Sequence, residues 1–204
     1  MISAHLRIGA LLFEGIDQID LTGPFEVLSR LPNSVPGGPG QEALMDDSEV
    51  LGWLSKQVAG GSFVFSVCTG ALLLGAAGLL RGRRATTHWA SLDLLPYFGA
   101  SPVDERVVAD GNMIFAAGVT AGIDGALRLA AELRGKAAAE AIQLAIAYAP
   151  DPPFNSGRPD TAPPAVLAAA ERSVAALTAR RKETAQRIAQ RLGVTVIDDA
   201  RRQA

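Results

Sequence analysis

Cysteine and histidine are nearly missing from this chain: one Cys, Cys68, and two His, His5 and His88, stand in 204 residues. A single cysteine excludes an intrachain disulfide and every multi-cysteine zinc or iron–sulfur pattern, and it suits a reducing, cytoplasmic setting. Two imidazoles are too few for a usual catalytic zinc site, so metal is not expected, with carboxylate-bound metal the one alternative. An excess of either charge is missing too. Nineteen Lys plus Arg face 21 Asp plus Glu, a net charge of −2, which offers no basic footprint for nucleic acid. The longest apolar run, residues 71–80, falls well below the ~20 residues that a membrane span requires. Another such run near the N-terminus stops at Glu14, too soon for an export signal. What remains, 49% hydrophobic and 20% charged residues, is the composition of an ordinary globular domain with no membrane attachment.

Patterning along the chain alternates between strand and helix. Residues 6–13 (LRIGALLF) are a continuous apolar run closed by Glu14-Gly15, the signature of a strand buried on both faces of a parallel sheet. Thr22 and Pro24 offer cap and first-turn chemistry to a helix reaching about Leu31, with Phe25, Leu28 and Leu31 on one face. Breakers fill residues 32–40, and a helix is expected over residues 48–59, stopped by Gly60-Gly61. Residues 62–67 (SFVFSV) favour a strand and residues 71–80 a helix, so the two meet across Cys68-Thr69-Gly70. Beyond them, residues 84–87 suit a short strand and residues 91–97 a short helix. Residues 106–117 suit a hairpin turning at Asp110-Gly111-Asn112. Two helices follow over 121–133 and 137–148, then a Pro-rich loop and a long helix over 165–192, whose many Arg and Lys read as a solvated face. This order implies an α/β three-layer sandwich, a mostly parallel central sheet flanked by helices, in one domain over residues 1–192 with 193–204 as a C-terminal tail. Ligands in such folds bind at the carboxyl ends of the strands, here just past Phe13 and Val67.

Cys68 follows a strand and opens a helix, so it would stand on a tight turn over unpaired backbone amides. These and the helix dipole would lower its pKa below the ~8.5 of a free thiol, although an ionised Asp20 nearby would push it back up. Gly70 would relieve crowding as small residues do in the nucleophile elbow of hydrolases. A lone cysteine is equally a small buried hydrophobe. Asp20, just past the first apolar run, would face the same sheet edge and could trade protons with a substrate held between. On the residues alone, capping a helix is the commoner job for such an Asp. His88 could pair with Cys68 as its base, but a hydrogen-bonded structural role is preferred. Val35-Pro36-Gly37-Gly38 could present backbone N–H groups to a developing negative charge, or be a plain surface turn.

Several stretches together carry a resemblance: DLTGP at residues 20–24, Pro36-Gly37-Gly38, SVCTG at 66–70, ATTHWA at 85–90, GVTAGID at 118–124, and APDPPFN at 149–155. The chain resembles the isonitrile hydratases (isocyanide hydratases) of the ThiJ/PfpI superfamily, which has the class I glutamine amidotransferase-like fold. The resemblance implies that Cys68 is the nucleophile in a nucleophile elbow and Asp20 its acid/base partner, with Thr69 holding the carboxyl group by a hydrogen bond. It implies that Gly38 contributes backbone donors near the sulfur, and that Gly118 and Val119 lie on the strand edge beside it. The substrate would be a small isonitrile, hydrated to an N-substituted formamide through a cysteine thioimidate without any cofactor. A homodimer with sites close to its interface is implied as well.

The chain departs from that family in one place. Only Asn33-Ser34-Val35 separates Leu31-Pro32 from Pro36-Gly37-Gly38, where the family has a second strand, connecting structure and a strand leading into the turn. Roughly 40 residues of the pattern are absent near 33–36, since a parallel crossover needs about a dozen or more and two strands about ten together. Two other classes of function share the cysteine motif: a non-catalytic ligand-sensing module, as in certain AraC-type regulators, and a cysteine-based stress or glyoxalase-like protein. The ~40 residues after Pro164 are too few for the two helix-turn-helix units of the first, and the second more often has Glu where this chain has Asp20.

Overall fold

A computed structural model describes residues 11–16, 18–28, 37–61 and 63–196. Its centre is β1 (Val64–Val67), with β2 (Arg84–Ala85), β3 (Ser101–Pro102), β4 (Val107–Asp110) and β5 (Met113–Ala116) following along the chain. Strand β1 pairs in parallel with β5, placing Val67 opposite Ala116, and β5 pairs antiparallel with β4 across the Gly111-Asn112 turn. The two-residue strands β2 and β3 make a separate parallel pair. Successive strand residues point to opposite faces. Accordingly Phe65, Val67, Ile114 and Ala116 enter one apolar core, while Val64, Met113 and Phe115 enter another.

Helices cover both faces. On one side α1 (Gln18–Leu28) packs on α5 (Ala121–Arg134), which in turn carries α6 (Lys136–Ala145). Helix α5 lies so near the sheet that a Cβ on Gly125 would stand 2.6 Å from the Phe65 ring. The other side is filled by α2 (Gln41–Leu44), α3 (Ser48–Gly60), α4 (Gly70–Ala76), a 3-10 helix Trp89–Phe98 and α7 (Pro164–Leu192). Helix α3 starts where the sequence indicates because the Asp47 carboxylate caps it, accepting from Glu49 N at 2.9 Å and Val50 N at 3.1 Å.

Among the described residues the sheets are small: β1–β5 and β2–β3 pair in parallel and β4–β5 antiparallel, and the helices on both faces are compatible with an α/β sandwich. Several expectations are corrected. Residues 11–13 of the expected first strand carry no strand, and residues 6–10 lie outside the described ones, as do residues 33–36 and 197–204. Helix α1 begins at Gln18, with Pro24 inside it instead of at its start. Its inward residues Asp20, Pro24 and Val27 are buried one and two turns apart, and this packing outweighs the proline's missing N–H. The Phe25 and Leu28 side chains, and Leu31, lie outside the described set. Helix α4 stops at Ala76, and the apolar residues after it continue as turns.

Candidate active site

Cys68 is gripped by its neighbours on both sides of its own peptide units. Its N–H donates to Ala116 O at 2.9 Å, extending the β1–β5 ladder by one step, and its carbonyl accepts the Thr87 hydroxyl at 2.8 Å. Between these anchors the residue turns to φ +56°, a left-handed conformation that costs a side-chain-bearing residue about 1–2 kcal/mol. Strain of this kind persists only where surrounding contacts impose it, and it gathers at functional sites. Cys68 is 6% exposed.

Three other segments converge on it. Asp20, fully buried, is the third residue of α1 rather than its cap, and its Oδ2 accepts the Gly37 N–H at 3.1 Å. The next amide, Gly38 N–H, donates to Thr69 Oγ1 at 3.2 Å. A Cβ on Gly37 would stand 2.5 Å from Thr69 N and 3.0 Å from Cys68 Cβ, so only glycine lets this turn lie against the cysteine. Arg181, in α7, donates from Nη2 to Gly38 O at 3.0 Å, and Gln41 N–H donates to the same carbonyl at 3.3 Å.

Electrostatics at the sulfur run against the expectation of a lowered pKa. Burial pushes the Cys68 thiol well above its ordinary value, and the Asp20 charge and hydrogen bond push the same way. The Thr69 backbone N–H and the Arg181 charge pull it down by less. With a thiol hydrogen-bonded to a buried carboxyl group, the pair can pass one proton between sulfur and oxygen, which is what a nucleophile and its acid/base need.

Of the residues singled out from sequence, Cys68, Asp20, Thr69 and Gly38 therefore meet. Gly118 and Val119 lie just beyond the end of β5 and line a cleft of about 240 Å³ with Thr87, His88, Arg106 and Arg158. His88 takes the structural role: its Nδ1 accepts Ala90 N–H at 3.3 Å and its ring lies against Trp89. Gly37, Thr87 and Arg181 were not singled out as individual site residues. The first two sit inside the quoted motifs. Arg181 has a fainter signal, a lone cation in line with Val174, Thr178, Ala185, Ile188 and Leu192 on one side of a helix. Among the described residues no cluster of His, Cys, Asp and Glu could hold a metal ion, and no helix is long and apolar enough to cross a membrane.

Known proteins share this arrangement of chain. Residues 33–132 match the DJ-1/PfpI family. The isonitrile hydratase of Pseudomonas putida is 45% identical, over 93% of this chain and 99% of the hydratase. A ThiJ/PfpI family protein from Pseudomonas syringae superposes with a TM-score of 0.84 at 36% identity, over 87% of this chain and 89% of that one. An HTH-type transcriptional regulator of Pseudomonas aeruginosa is 41% identical, but over 41% of this chain and 25% of the regulator. A cysteine held at positive φ between strand and helix, a near full-length relative and a near full-length structural match all agree, and the chain belongs to the DJ-1/PfpI family.

Proposed function

We propose that the protein hydrates isonitriles, R–N≡C, to N-substituted formamides. The observation that carries this reading is the 45% identity to the Pseudomonas putida isonitrile hydratase across nearly all of both chains. The geometry around Cys68 supplies the groups such a reaction needs. The isonitrile carbon is electrophilic but has no leaving group, so a covalent intermediate divides the addition of water into two easier steps.

In this reading Cys68 occupies a nucleophile elbow, and the Cys68–Asp20 pair begins as thiol and carboxylate, Asp20 taking the thiol proton as the sulfur attacks. Sulfur bonds to the isonitrile carbon while Asp20 gives that carbon its proton, leaving a thioimidate, R–N=CH–S, and an Asp20 carboxylate. The carboxylate takes a proton from water as its oxygen bonds to the same carbon, and returns one to nitrogen. Collapse of the adduct to a carbonyl breaks the C–S bond, and Asp20 recovers the proton of the departing hydroxyl. Asp20 passes that proton back to sulfur, so thiol, carboxylate and formamide remain, with no electron transfer and no cofactor. Thr69 steadies the Gly38 amide and the carboxyl group, and Gly38 keeps the turn over the sulfur. Gly118 and Val119 follow the end of β5, where Ala116 O accepts the Cys68 N–H, and in this reading they lie beside the sulfur; the family pattern often has Ile where this chain has Val119.

The same reading extends to organisation. Residues 1–192 form one domain and 193–204 a tail, with a family segment missing near 33–36. The 225-residue alignment covers 93% of a 204-residue chain, so some 35 aligned positions have no counterpart here, enough for a crossover of about a dozen residues and a strand or two. The enzyme works as a homodimer in the cytoplasm. Leu144 at 82% exposure and Phe154 at 78% are apolar surface that a second copy would cover.

Incubation with an alkyl or aryl isonitrile tests the activity. Formamide should accumulate as isonitrile disappears, with a Cys68 adduct of one substrate mass in protein quenched during turnover. Absence of formamide from folded protein would overturn the proposal.

A further inference from the structure

Among the described residues Arg181 is a buried cation without an ion-pair partner. It is 5% exposed, and among the described residues no carboxylate lies within salt-bridge distance of it. Its neighbour Arg180 takes Glu42 instead, at 3.5 Å. Apart from the Nη2 bond to Gly38 O, the guanidinium is poorly served, since Nε is buried and unpartnered. Removing a charge from water costs several kcal/mol unless something compensates it. If α7 needed only to pack here, an apolar side chain in line with Ala185 and Ile188 would serve without that cost.

The compensation lies on the far side of the bond. The Gly38 carbonyl that Arg181 holds belongs to the residue whose N–H holds Thr69 Oγ1, and the preceding N–H holds Asp20. One guanidinium thus fixes a two-residue turn that bonds both Asp20 and Thr69 beside Cys68. The charged groups facing this region are few: Asp20 from α1, Glu42 from α2, and Arg180 and Arg181 from α7. Arg181 interacts favourably with both the Cys68 sulfur and Glu42, and unfavourably with Arg180.

We propose that Arg181 is a positioning residue for the Cys68 site, holding the Gly37–Gly38 turn against Thr69 and Asp20 and placing a fixed positive charge within reach of the sulfur. The proposal rests on the hydratase reading for the use to which the thiolate is put, but not for the state of the thiol itself. The guanidinium has two separable duties. Its Nη2 donor orients the carbonyl, and its charge favours the form of Cys68 that attacks.

Two variants divide them. Arg181→Lys keeps the charge but loses the planar guanidinium that carries the Nη2 donor to Gly38 O; Arg181→Gln keeps a donor and loses the charge. Alkylation of Cys68 by iodoacetamide, followed by mass across a pH series, reads the thiol without any isonitrile. Turnover reads the geometry. Arg181→Gln should move the alkylation profile up by about one pH unit, the size of a neighbouring charge effect, a roughly tenfold slower reaction at fixed pH. Arg181→Lys should leave that profile in place while kcat falls about tenfold and KM changes little. Superimposable alkylation profiles for wild type and folded Arg181→Gln would overturn the electrostatic duty, and full turnover in Arg181→Lys would overturn the orienting one. Should Arg181→Gln not fold, Arg181→Lys decides alone, since an unchanged kcat there removes the positioning claim. If the wild type hydrates no isonitrile yet the Gln profile still shifts, the hydratase reading fails and the role of Arg181 at the thiol stands.

Discussion

The amide of Gly37 donates to Asp20 Oδ2 at 3.1 Å, across 17 positions of chain, and the same glycine has no room for a side chain against Thr69 and Cys68. This contact joins the acid/base group to the nucleophile through backbone. Gly37→Ala should therefore injure activity more than stability. The added methyl must displace the Thr69 N–H or the turn by several tenths of an ångström, and misplacement of that order costs about 10²-fold in rate. Circular dichroism should show a folded protein and the isonitrile assay the loss; wild-type kcat in Gly37→Ala would break the link between turn and site.

Asp20→Asn separates two consequences of one charge. An asparagine oxygen can still accept the Gly37 amide, so the fold should persist, but it cannot ferry a proton, and turnover should drop ~10²–10⁴-fold. The Asp20 charge also raises the Cys68 thiol. Its removal should let iodoacetamide label Cys68 at lower pH than in the wild type. A variant that is less active yet more readily alkylated is the expected result, and labelling at the same or higher pH would contradict it.

Burial of the thiol predicts how stability depends on pH. The folded chain keeps its Cys68 proton above the ordinary thiol value of 9.0, whereas the unfolded chain releases it there. The folded state then binds more protons than the unfolded one, so stability falls as pH rises from about 9 upward, by about 1.4 kcal/mol per pH unit for one such group. Below that pH the contribution is fully present. Urea melts at pH 8 and pH 10 should show the decline in wild type and a smaller one in Cys68→Ser, which should also form no formamide. Equal declines in both proteins would place the pH sensitivity elsewhere.

The backbone at Cys68 offers a test independent of chemistry. Glycine normally destabilises a structured position relative to alanine, but at φ +56° the order should invert. Cys68→Gly should exceed Cys68→Ala in stability by about 1 kcal/mol, the cost of placing a Cβ in the left-handed region. Thermal melts of the pair provide the comparison, and a more stable alanine variant would show the strain to be unimportant.

Much of this site is legible in the sequence where chemistry and local pattern coincide. A β-branched and aromatic run meeting a run of helix formers at Cys68-Thr69-Gly70 is a purely local signal, and the turn lies there. Asp20 is harder, because Thr22 and Pro24 advertise a helix start just after it. Only packing of α1 on α5 draws the helix back to Gln18 and turns the carboxyl inward. Small strands such as β3, with two residues, have too little pattern to detect. The expected fall of the thiol pKa fails for a similar reason: a helix-start dipole can be read locally, but burial is a property of the assembled core. Arg181 reads as part of a solvated face because one inward cation among many outward ones disturbs the periodicity very little.

The bond from Arg181 to Gly38 spans 143 positions, and this has a consequence for the order of events during synthesis. A ribosome releases Cys68, Asp20 and the glycine turn long before it releases α7. Until Arg181 emerges, the nascent chain carries its only cysteine without the cation that faces it and with the turn unbraced. The turn beside Cys68 can therefore be braced only after the long C-terminal helix has been made, so the site is completed by the last large element of the chain to leave the ribosome.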